Sequence, residues 1–129
     1  MPVPTPASER NDGQGAPQGS APIDLAHLRR FTLGDHDLEM EVLGLFIEQA
    51  PLTIETMLQA RSDREWQRAA HTLKGSARAV GAWRIAELAE RAELIGGITD
   101  RQACERLLSH LGAAAEEARM HITSLAHDD

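Results

Sequence analysis

Tyrosine is absent from this 129-residue chain, and the aromatic residues stop at Phe31, Phe46, Trp66 and Trp83. A core must therefore be filled mainly by Ala, Leu, Ile and Val, a mixture that suits helices packed on helices. A lone cysteine, Cys104, excludes an internal disulfide, and its step with apolar neighbours on a predicted helix makes it a buried thiol. No run approaches the roughly 18 consecutive apolar residues of a membrane span, and the N-terminus carries neither the basic nor the apolar region of a signal peptide. No membrane association is expected, and a cytoplasmic location is the default.

Positive charge is also scarce. The net charge is −7, and no dense basic run exists that could displace the counterions of a phosphate backbone, so nucleic acid is excluded as a partner. Lys74 is the one lysine beside twelve arginines, which suggests that a compact charge is needed at that place. No two histidines stand three or four residues apart and no His-Cys cluster has ligand spacing, so neither a metal nor any other cofactor is expected. The single Gly96-Gly97 pair is no phosphate-binding loop, and one domain's length leaves no room for an ATP site.

Five of the six prolines fall in residues 1–22 with Gly13, Gly15 and Gly19, a composition that cannot bury enough apolar surface to offset its ordering entropy. This segment is read as a disordered arm or linker, and residues 23–127 as one domain. Asp24 can cap a short first helix that Thr32-Leu33-Gly34 interrupts, and Asp35 can cap a second whose apolar stripe is Leu38, Val42, Leu45 and Phe46. Pro51 should bend that helix without ending it. Ser62-Asp63-Arg64-Glu65 reads as a capping box, after which Trp66, Ala70, Leu73, Ala77 and Val80 mark one face of a central helix that stops at Gly81.

Ile85, Leu88, Ala89, Ala92 and Ile95 then mark a further helix up to Gly96-Gly97. A second box, Thr99-Asp100-Arg101-Gln102, opens a long last helix bearing Cys104, Leu107, Leu111, Ala114, Ala118, Ile122 and Leu125. Strand-like alternation is missing throughout. The expected fold is all-α, an antiparallel four-helix bundle with a short extra N-terminal helix.

His71 sits two residues before Leu73, hence about 200° around the central helix from the core stripe, where solvent can reach its ring. Lys74, Gly75 and Arg78 share its face, and Arg64 and Arg68 extend that face backwards. A glycine inside a helix costs about 1 kcal/mol relative to alanine, so Gly75 beside an exposed histidine suggests that something approaches the backbone closely. Ser76 and Ala77 keep the neighbouring surface small. His27, His36, His110, His121 and His127 have no such neighbours and read as ordinary surface residues.

The string His71-Thr72-Leu73-Lys74-Gly75-Ser76-Ala77 resembles the motif His-x-x-Lys-Gly-Ser/Ala-Ala/Ser of histidine-containing phosphotransfer domains. The similarity extends to Val80-Gly81-Ala82, Leu45-Phe46 and Ala50-Pro51, over roughly residues 24 to 125. It implies a bundle whose central histidine is phosphorylated on Nε2 and exchanges phosphate with the aspartate of a response-regulator receiver domain, fed by a sensor histidine kinase. A monomer is expected, and a phosphocarrier without kinase activity of its own. Counting along the motif puts Glu93 where the family carries a hydrogen-bonding partner for the other ring nitrogen, a place that many members fill with Gln.

The residue chemistry agrees. Neutral imidazole, with an unperturbed pKa of about 6.5, is a competent nucleophile at cellular pH. Lys74 can hold phosphoryl oxygens, with help from Arg78, while Arg68, Gly75 and Ser76 belong to the docking surface. Two alternatives stay open. One is a helical adaptor that binds a partner through the Arg64, Arg68, Lys74, Arg78 face without covalent chemistry. The other is a module of a larger sensor kinase, with residues 1–22 as its linker.

Overall fold

Four of the five helices begin where a short acceptor side chain satisfies free backbone amides, and the one that follows Ala82 has no side-chain cap. In the computed structural model, which describes residues 21–127, Asp24 accepts from the His27 amide at 3.1 Å and starts α1 (Leu25–Thr32). Asp35 does the same for α2 (His36–Leu58) through the Leu38 amide, and Ser62 for α3 (Asp63–Val80) through the Glu65 amide. Then come α4 (Trp83–Ile95) and α5 (Arg101–His127). Most of the expected N-terminal arm, residues 1–20, lies outside the described residues.

Both capping boxes differ in detail from the expectation. Glu65 reaches back to the Arg61 amide at 2.7 Å rather than to that of Ser62. At α5 the cap is Asp100, whose carboxylate accepts from the Ala103 amide at 3.1 Å, and not Thr99. An ionised acceptor is favoured over a hydroxyl at the positive end of a helix, which shifts the start by one residue. The stops at Gly81 and Gly96 fall as expected, both in the left-handed region with φ of 78° and 87°.

The apolar stripe of α2 is the main correction. Its buried residues are Glu39, Leu43, Phe46, Ala50 and Met57, whereas Leu38 and Leu45 are 39% and 55% exposed and Val42 is only half-buried. Apolar residues surround α2 on most sides, so periodicity alone picks no unique face, and contact with α3 and α5 decides it. Glu39 can be buried because the Thr32 hydroxyl donates to it at 2.8 Å and the Arg29 guanidinium lies 3.4 Å away. α2 runs through Pro51 without interruption.

Packing runs in a ring. α3 packs beside α2 and α4, α5 packs beside α2 and α4, and the diagonal helices stand farther apart across the shared core, while α1 lies across α2 and α3. This is the four-helix bundle with an extra N-terminal helix, all-α among the described residues. Its core holds Leu43, Met57, Trp66, Leu73, Ile85, Leu88 and Leu111, all fully buried. Cys104 is buried as expected, and burial pushes its thiol pKa up. No helix among the described residues is long and apolar enough to cross a membrane.

The α3–α4 pairing positions the site. Ala69, Ala70 and Ala77 on α3 and Ala86, Ala89 and Ala92 on α4 are buried, and such small side chains let two helices come close. Three polar ties then fix their register. The Trp66 indole N–H donates to the Ala92 carbonyl at 2.8 Å, Gln67 donates to the Gly96 carbonyl, and the Asp63 carboxylate accepts from the Ile98 amide at 2.9 Å. At the far end the Trp83 indole donates to Asp24 at 2.9 Å, fastening α1 to the α3–α4 corner.

Candidate functional site

His71 stands midway along α3 on the side away from Leu73, and its side chain is 73% exposed. Directly across the helix pair, Glu93 projects from α4 one residue beyond the carbonyl that Trp66 holds. Its Oε2 lies 2.8 Å from His71 Nδ1, and its Oε1 pairs with the Lys74 ammonium. A carboxylate can only accept, so Nδ1 carries the proton, and in the neutral ring the lone pair is then on Nε2. Lys74 holds the Glu93 carboxyl below the usual carboxylate range, and the His71 bond adds to that against the opposing effect of burial.

His71, Lys74 and Glu93 thus form one hydrogen-bonded cluster. Lys74 is not the freely exposed cation that its outward position suggests, for its side chain is only 17% exposed. Its stem lies against the bundle while the amine reaches Glu93. Arg78 leans to α4 as well, 3.7 Å from Glu90. The Ser76 hydroxyl donates to the Thr72 carbonyl of its own helix at 2.9 Å, so it is not aimed at the ring. Gly75 is exposed, and a Cβ added there would meet nothing within 4 Å. Arg68 is exposed one turn before His71 and has no ion-pair partner among the described residues.

Sequence reasoning did not anticipate the Lys74–Glu93 pair or the Trp66–Ala92 tie, both of which join residues far apart in the chain. The signal for the first was the singular lysine at i+3 from His71. His27 also departs from the plain surface residue expected, since its ring packs edge-on against Trp83 with centroids 4.8 Å apart.

A model of the Hpt domain family matches residues 41–127 of the chain. The chain belongs to the Hpt domain family. The crystal structure of the histidine phosphotransferase ShpA from Caulobacter crescentus is similar to this Hpt domain at 33% sequence identity, with a TM-score of 0.63. The likeness covers 84% of this chain and 93% of that one. No curated protein matches. Membership gives this Hpt domain a phosphotransfer role in a phosphorelay, the role of a phosphocarrier and not of a kinase. Among the described residues no group of His, Cys, Asp or Glu is arranged to hold a metal ion.

Proposed function

We propose that this Hpt domain carries a phosphoryl group on Nε2 of His71. It receives the group from a receiver-domain aspartyl phosphate or a sensor-kinase phosphohistidine and gives it to a response-regulator aspartate. The observation that carries this reading is the commitment of Nδ1 to Glu93 on a side chain 73% exposed, which leaves Nε2 as the available nucleophile.

When an aspartyl phosphate is the donor, Nε2 attacks phosphorus in line with the leaving oxygen. The Nε2–P bond forms, the P–O bond breaks, and its electron pair returns to the aspartate as carboxylate. The proton on Nδ1 stays in place throughout. The phosphorylated ring is therefore cationic, and the Glu93 carboxylate offsets that charge at hydrogen-bond distance. In the forward transfer the leaving group is neutral imidazole with Nδ1–H, so neither half-reaction requires a proton to move. Lys74 lies one turn from His71 and serves the equatorial phosphoryl oxygens as a point charge.

Labelling the chain from a phosphorylated receiver domain tests this. The label should be acid-labile and base-stable, and should vanish in His71→Gln while helical content stays unchanged, because an exposed ring removes no packing. Label that persists on that variant would overturn the assignment to His71.

A further inference from the structure

The outward side of α3 is a ridge formed by Arg64, Arg68, His71, Gly75 and Arg78, spaced four, three, four and three residues apart, and all five are exposed. In a chain of net charge −7 this ridge contains no carboxylate. The acidic side chains nearest to it are already engaged. Glu65 accepts from the Arg61 amide, Asp63 from the Ile98 amide, Glu93 from His71 and Lys74, and Glu90 faces Arg78. Arg64 and Arg68 have no such partner among the described residues.

Two solvent-facing guanidinium groups, one and two turns before the phosphoacceptor, are therefore available to whatever covers His71. Both are exposed, and neither pairs with an acid among the described residues. Planar guanidinium forks are suited to carboxylates, and charges at the rim of an interface act mainly on encounter rate and orientation.

We infer that Arg64 and Arg68 are docking cations and that the partner seated over His71 presents a carboxylate-rich protein face to the α3 ridge. The inference rests on phosphotransfer at His71 and adds to it the charge of the partner surface. A net-acidic chain repels acidic partners in general, so an acid-free ridge at the phosphoacceptor makes approach there selectively favourable. Arg78, tethered to Glu90, contributes less than the two free arginines.

The test uses the full chain, the double variant Arg64→Ala/Arg68→Ala and the reversal Arg64→Glu/Arg68→Glu. Two phosphodonors are compared, namely phosphoramidate and whichever phosphorylated receiver domain reacts fastest in a purified panel. With the receiver, kcat/KM at low salt should fall roughly tenfold in the alanine variant, chiefly through KM, and further in the reversal. Raising ionic strength should bring the parent down to the alanine variant, because screening removes what the mutation removed. Labelling by phosphoramidate, which docks on no ridge, should change less than twofold. Receiver rates that are equal in all three proteins, or a parent rate indifferent to salt, would overturn the docking role. Equal losses with both donors would do so too, by showing that the arginines serve the chemistry of His71 itself. A parent chain labelled by neither donor would instead overturn phosphotransfer at His71, and the docking role with it.

Discussion

Glu93 on α4 and His71 on α3, 22 residues apart in sequence, meet at 2.8 Å between carboxylate oxygen and Nδ1. The same carboxylate pairs with Lys74 through its other oxygen, so one acidic side chain fixes the ring tautomer and holds the cation beside it. Glu93 can do this because Trp66 and Gln67 lock the surrounding turn of α4 against α3.

Replacing Glu93 by Gln retains an acceptor for Nδ1–H but removes the charge that would offset a phosphorylated, cationic ring. Transfer should slow by roughly tenfold in Glu93→Gln, and by more in Glu93→Ala, as for other partners that orient a reacting imidazole. Single-turnover transfer rates would measure it, and equal rates in parent and Glu93→Gln would show that the charge is idle.

The lowered Glu93 pKa also has a sign. The Lys74 ion pair, and after it the His71 bond, stabilise the ionised form in the folded state. Their contribution to stability is thus fully present above the ordinary carboxylate pKa and is lost as pH falls through the depressed folded value. Thermal melts of the parent and of Glu93→Gln should therefore converge as the pH drops below the ordinary carboxylate range. A gap that stayed constant with pH would contradict the linkage.

Lys74→Ala should reduce transfer strongly while costing on the order of 1 kcal/mol or less of stability, since its pair with Glu93 is partly solvated. Lys74→Arg should restore the stability without restoring the rate, because a planar fork on a different stem does not reproduce a compact point charge. Rates and melting temperatures measured on the same samples separate the two effects.

Trp66→Phe tests the tie that sets the α4 register. The indole is fully buried and its N–H donates to the Ala92 carbonyl, so Phe keeps most of the packing but removes that donor. The expected loss is about 1 to 2 kcal/mol, or a fall in Tm of roughly 4 to 10 °C. Transfer should fall as well, since Glu93 is the next residue along. An unchanged melting curve would show that the alanine packing alone holds α4 in place.

The face of α3 was legible because its polar and apolar residues alternate cleanly, and every residue of its expected stripe is buried. α2 was not, because leucines such as Leu38 and Leu45 stand outside while Glu39 goes inside, a choice that the α1–α2 elbow makes through Thr32 and Arg29. At the site, His71, Lys74 and Gly75 lie within one turn of one helix, where spacing is informative. Glu93 belongs to another helix, and periodicity says nothing of contacts between helices. Only the family resemblance pointed to it, and whether it met His71 depended on the α3–α4 register.

Gly75 separates stability from function most sharply. It lies inside α3, where glycine costs up to about 1 kcal/mol relative to alanine, and a Cβ placed there meets no atom within 4 Å. Gly75→Ala should therefore raise the melting temperature, since nothing in the bundle resists the added methyl. A partner above His71 would resist a larger group, because phosphoryl transfer needs nitrogen, phosphorus and oxygen nearly in line, and a displacement of about 1 Å can cost roughly a hundredfold in rate. Gly75→Gln should fold as well as the parent and transfer far more slowly to a receiver domain. Labelling by phosphoramidate, which needs no such approach, should be little affected. A Gly75→Gln protein that passes phosphate to the receiver as fast as the parent would show that this glycine has no part in access to His71.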